Sequence, residues 1–223
     1  MKIDIYSDVA CPWCYIGQAR FERALAGFAG SEHVDVRYHP YQLDPRAPND
    51  AEPMYDYLAR RFGERGRDMA AHVIGIASGE GLVMDYDRGL SVNTLDAHRL
   101  SMLADREYGA ATQRALIRRL FDAHFTEGKD VGDPRVLAEL AGEVGMDADA
   151  ARNYLETDAG TREVREEIAA AQRLGVNAVP TYVFDDKYVI EGAQPTELFQ
   201  QALDTIAEEA TAGARLAQDR RRA

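Results

Sequence analysis

The chain has 223 residues, 46% of them hydrophobic and 29% charged, so it is long enough to bury its own core without disulfide staples. With 26 Lys and Arg against 38 Asp and Glu, a net charge of −12 and a pI near 4.9, its body repels phosphate backbones and anionic lipid, which argues against nucleic acid and membranes as partners. No apolar run approaches the roughly twenty residues of a membrane span, and no basic-then-apolar leader precedes the first predicted strand, so a cytoplasmic address is expected.

The first predicted element is a short strand, in which Ile3 and Ile5 alternate with Lys2, Asp4 and Tyr6. Pro12 suits a first helical turn, where its missing N–H is no loss, and Ile16, Phe21, Ala24, Leu25 and Phe28 then recur at helical spacing. Val34, Val36 and Tyr38 alternate again, so a βαβ unit is complete by about Leu43. From Pro53 to about Leu174 the pattern is helix after helix, including an amphipathic stretch with Leu95, Leu100 and Leu103 that Asn93 or Thr94 could cap. Strand character returns at Thr181 to Phe184 and Tyr188 to Glu191, around a polar Asp185-Asp186-Lys187 turn, and a last helix runs from about Pro195 past Ile206. Arg215, Arg220, Arg221 and Arg222 make the end basic, which reads as a solvated tail.

The only two cysteines, Cys11 and Cys14, stand in one tetrapeptide at the start of the first helix. Neighbouring positions of one turn allow a disulfide to close between them. Cys11 lies at the helix end, where unpaired N–H groups and the helix dipole favour the thiolate, the species that attacks in disulfide exchange. Cys14 falls inside the helix, where burial favours the neutral thiol and suits it to resolving a mixed disulfide. Structural zinc needs about four ligands, and the chain offers no second cysteine pair and only scattered histidines, so no metal is expected.

Four segments carry a resemblance: Ser7-Asp8-Val9-Ala10-Cys11-Pro12-Trp13-Cys14-Tyr15-Ile16-Gly17, Tyr41-Gln42-Leu43-Asp44-Pro45, Asn93-Thr94 with Ala97-His98, and Gly175-Val176-Asn177-Ala178-Val179-Pro180-Thr181. In these the chain resembles FrnE-type members of the DsbA-like thioredoxin superfamily, to about residue 207. The resemblance implies an α/β thioredoxin-like fold (βαβ…ββα) with an all-helical domain inserted in the middle. Residues 1–45 and 175–210 would form the discontinuous thioredoxin-like domain, 46–174 the helical insertion and 211–223 the basic C-terminal tail. It further implies a cis Val179-Pro180 bond facing the cysteines. Kappa-class glutathione transferases and hydroxychromene carboxylate isomerases share the inserted helices but use a serine in place of the first cysteine.

The expected activity is that of a disulfide oxidoreductase or isomerase, with Cys11 and Cys14 catalytic and Pro12, Trp13, Val179 and Pro180 contacting substrate. Protein thiols and disulfides, or small thiols such as glutathione as a cosubstrate, are the expected partners. No other cofactor is expected, and a homodimer is left open. Two other readings remain: a glutathione-dependent isomerase or transferase for a small aromatic or polyketide-like substrate, and a chaperone-like binding module.

Other polar residues carry bland readings beside sharper ones. His98 shares a helix face with Leu95 and Met102 and reads as a core histidine, not a base. His39 reads as a strand-end packing residue, and His33, His72 and His124 show no metal spacing. Asp8 either tunes the thiols from a buried position or caps the helix, and the spacing does not choose. Trp13 and Tyr15 either face substrate or pack against the inserted helices.

Overall fold

The computed structural model describes the backbone of residues 1–222 and the side chains of residues 1–212, so the surroundings of Arg215 and Arg220 to Arg222 lie outside the described residues. The expected βαβ opening consists of strand β1 (Lys2–Ser7), helix α1 (Pro12–Gly27) and strand β2 (Asp35–Pro40). Strands β5 (Thr181–Phe184) and β6 (Tyr188–Glu191) and helix α9 (Thr196–Arg222) close the chain. The sheet order is β2-β1-β5-β6. β1 runs parallel to β2, with Ile3 beside Val36 and Ile5 beside Tyr38, and antiparallel to β5, with Ile5 beside Tyr182.

β1 is thus an inner strand covered on both faces, and its alternation does not mean one wet side. Asp4 is only 4% exposed, held by Lys2 Nζ at 2.8 Å and His39 Nε2 at 2.8 Å. The three-residue β5–β6 turn, Asp185 to Lys187, places Asp185 and Asp186 at φ 47° and 54°, and Lys187 N–H donates back to the Phe184 carbonyl at 2.9 Å. Phe21, Tyr182 and Phe199 pack against one another where α1 and α9 meet the sheet. All three are fully buried, and the two phenylalanines each contribute roughly 1.5–3 kcal/mol by transfer from water.

Between β2 and β5 the chain is helical, with α2 (Met54–Phe62), α3 (Arg65–Gly79), α4 (Leu95–Tyr108), α5 (Ala110–Phe121), α6 (Pro134–Glu143), α7 (Ala148–Leu155) and α8 (Thr161–Arg173). One detail goes beyond a purely helical insertion: β3 (Glu52–Pro53) and β4 (Leu90–Ser91) form a two-residue antiparallel pair that brackets α2 and α3. Asp133 caps α6 by accepting from Arg135 N–H at 2.8 Å, with Pro134 as its first residue. Arg99, 3% exposed, donates to the carbonyls of Tyr154, Leu155, Thr157 and Ala159 and to Asp96, so one guanidinium ties α4 to the α7–α8 connection. No helix among the described residues is long and apolar enough to cross a membrane.

Candidate active site

Cys11 is the residue before α1, in extended conformation at φ −90° and ψ 111°, and Pro12 opens the helix. Its carbonyl accepts from Cys14 N–H at 3.0 Å and Tyr15 N–H at 3.3 Å, which closes the first turn and stacks Cys14 over Cys11. Both cysteines are free thiols and both are 2% exposed. Burial, the hydrogen bond to Cys11 and the charge of Cys11 push the Cys14 thiol well up, and Ser7 and the Asp8 backbone offset only part of that.

Cys11 Sγ donates to the carbonyl of Val179 at 3.7 Å, across 168 residues of chain, and the Val179-Pro180 bond is cis. Gly17 makes this approach possible: a Cβ there would sit 2.7 Å from Tyr182 Oη and 3.0 Å from Pro180 Cγ.

Cys11 also lines a cavity of about 400 Å³, within the range of small-molecule sites. Of the four expected substrate contacts, Pro12 and Trp13 line it, whereas Val179 and Pro180 do not. Trp13 stands at the rim, 38% exposed, with its ring 6.5 Å from that of His72. The far wall comes from α2 and α3, through Leu58, Phe62, Met69 and Val73. Arg61 is also there, engaged by Asp44 at 2.5 Å.

Tyr15 turns away from the cavity. It stacks on Phe121 and Phe125 and donates its hydroxyl to Asp122 at 2.7 Å; burial and that carboxylate push its phenol up to about 12.

Asp8 does not cap α1. Its carboxylate accepts from Leu43 N–H at 2.7 Å, Ala10 N–H at 3.3 Å and His98 Nε2 at 3.2 Å. Burial alone would raise the Asp8 carboxyl, but the hydrogen bond and charge of His98, with the backbone bond from Leu43, hold it below the ordinary range. His98 is thus a buried histidine held through Nε2 by Asp8. His39 on β2 bonds Asp4 of β1 and Glu167 of α8.

Two cavity residues have no signal in the sequence. Tyr86 lies in the irregular segment before β4, and His124 in a π-turn, Asp122–Thr126, that follows α5. Both interrupt the helical periodicity instead of belonging to it, so spacing does not single them out. Among the described residues no cluster of three or more His, Cys, Asp or Glu side chains is placed to hold a metal ion.

Comparison with known proteins agrees with this architecture. An uncharacterized protein of Bacillus subtilis, YwbO, is 27% identical over 208 residues, which are 91% of this chain and 96% of that protein. The crystal structure of a probable DsbA oxidoreductase from Streptomyces coelicolor superimposes with a TM-score of 0.84 at 35% identity, covering 94% of this chain and 91% of that one. The cytosolic disulfide reductase DsbM from Pseudomonas aeruginosa, determined with GSH, shares the fold at a TM-score of 0.66 and 20% identity, over 93% of this chain and 100% of that one. Residues 2–204 match the family model of the DSBA-like thioredoxin domain, and the chain belongs to that family.

Proposed function

We propose that the protein is a cytoplasmic thiol–disulfide oxidoreductase or isomerase that works through Cys11 and Cys14 on protein or small-molecule disulfides. The observation that carries this reading is the placement of Cys11 at the mouth of α1, against the Val179 carbonyl and on the wall of an open cavity, with Cys14 held as a neutral thiol one turn behind it.

The Cys11 thiolate attacks one sulfur of a disulfide R–S–S–R, forming a Cys11–S–S–R bond and releasing RS⁻. Cys14 then loses its proton and attacks Cys11 Sγ, forming the Cys11–Cys14 disulfide and expelling the second RS⁻. The substrate is reduced by two electrons and the dithiol is oxidised by two. Trp13 and Pro12, which line the cavity, are the proposed substrate contacts together with Val179 and Pro180. The unit that performs this comprises residues 1–45 and 175–210, with 46–174 supplying the far cavity wall. A cytoplasm poised at about −220 to −320 mV suits reduction or isomerisation better than net oxidation.

The test is stoichiometric oxidation of the reduced protein by glutathione disulfide and by insulin. Cys11→Ser should abolish it, and Cys14→Ser should accumulate a mixed disulfide on Cys11 visible as added mass. Full exchange by the Cys11 variant would overturn the reading.

A further inference from the structure

Tyr86 and His124 stand on two segments that brace each other against the cavity. In the π-turn the Glu127 N–H reaches back to the Asp122 carbonyl at 3.1 Å, a local winding that recurs at functional sites. The Phe125 carbonyl accepts from Asp85 N–H at 2.7 Å, and the Thr126 hydroxyl donates to the Val83 carbonyl at 2.6 Å. Tyr86 stacks near Phe125, which stacks in turn on Tyr15, the residue after Cys14. The segment 83–86 and the π-turn are thereby fixed to the helix that carries the cysteines.

Both side chains line the cavity that Cys11 lines, and both are buried, at 6% and 1% exposure. Both ring nitrogens of His124 are buried and lack a hydrogen-bonding partner among the described residues, and the Tyr86 phenol stands on the same cavity wall. Tyr38, Tyr154 and Tyr182 carry unpartnered hydroxyls, but none of them lines the cavity. A buried polar group without a partner weakens a fold, so an unpartnered imidazole on a cavity wall, with a phenol beside it on that wall, points to a ligand group that completes it.

The chemistry of that group follows from its surroundings. Burial pulls the His124 imidazole down to about 4, so at neutral pH it offers one N–H donor and one bare nitrogen acceptor. Burial and the nearby Cys11 charge push the Tyr86 phenol up, so it remains an O–H donor. The one guanidinium on the wall, Arg61, is engaged by Asp44, and the buried Asp8 carboxylate adds negative charge nearby. A carboxylate would meet no free cation here, whereas a carboxamide both accepts and donates.

We propose that Tyr86 and His124 are specificity-determining residues that hold an uncharged amide group of the molecule whose sulfur meets Cys11, favouring amide-bearing disulfides over carboxylate-bearing ones. This rests on the disulfide-exchange reading above.

Two probes of matched size test it: dithiodiglycolic acid and its diamide. The reduced protein is mixed with excess probe and oxidation is followed through Trp13, the only tryptophan, which lies between the cysteines. The wild-type chain should half-saturate at a lower concentration of the diamide than of the diacid. His124→Phe should lower that preference by about tenfold, the worth of one lost hydrogen bond, without lowering the melting temperature. Tyr86→Phe, which keeps the ring, should lower the preference in the same direction and serves if the histidine variant does not fold. An unchanged preference in a folded variant, or equal losses for both probes, would overturn the assignment alone. Failure of the wild-type chain to be oxidised by either probe would overturn the disulfide reading and this assignment with it.

Discussion

Asp8 and His98 meet at 3.2 Å across 90 residues of chain, both almost completely buried, directly behind the loop that presents Cys11. The pair joins β1's exit to α4, and Leu43 N–H adds the segment after β2 to the same carboxylate. His98→Ala should therefore destabilise the protein by about 3 kcal/mol, because it strips a buried carboxylate of one partner. Urea unfolding measures this, and adding Asp8→Asn should recover part of the loss. A cost below about 1 kcal/mol would mean that the pair contributes little beyond packing.

Acid should weaken the protein well above the ordinary carboxylate range. Burial lowers His124 from 6.5 to about 4, with the Asp8 charge opposing in part, so between those values the unfolded chain binds a proton that the folded one refuses. Stability is accordingly lost as pH falls from about 6.5 to 4, by about 3 kcal/mol in all. Asp8, whose carboxyl is held below 3.8, keeps its contribution down to that range and loses it only at lower pH. His124→Phe should flatten the slope between pH 6.5 and 4 in urea titrations, and an unaltered slope would refute the assignment of that limb to His124.

Gly17 is predicted to be intolerant of even one added methyl group. A Cβ at 2.7 Å from Tyr182 Oη and 3.0 Å from Pro180 Cγ would push α1 and the Val179-Pro180 segment apart. Gly17→Ala should cost about 1–3 kcal/mol, as overpacking does. It should also slow the oxidation of Cys11 by glutathione disulfide in stopped-flow fluorescence. Wild-type stability together with a wild-type rate would show that the two segments separate freely.

Much of the site was legible in the sequence because its chemistry is local. Cys11, Pro12 and Cys14 occupy one helical turn, and helix geometry alone places one thiol at the helix end and the other within. The alternation of β1, β2, β5 and β6 and the helical run between them also determined the order of elements, since each pattern is a period within a short stretch. The segments around Gln42, Asn93 and His98 stood out as a resemblance, though not for a reason visible in sequence. The structure supplies the reason: Gln42 Nε2 donates to Asn93 Oδ1 at 2.9 Å, Asn93 Nδ2 donates to the Ala47 carbonyl at 2.9 Å, and His98 completes Asp8.

Only the tertiary structure decided what surrounds the sulfur. Asp4 sits at a polar position of an alternating strand, yet it is buried because β1 has neighbours on both sides and cover on both faces. Tyr86 and His124 reach the Cys11 cavity through a turn of π-helix and an irregular segment, neither of which has a period to read. Periodicity reports which face of an element is buried. Which groups from distant segments converge on one cavity depends on how the elements pack, and that placed these two side chains on the cavity that Cys11 lines.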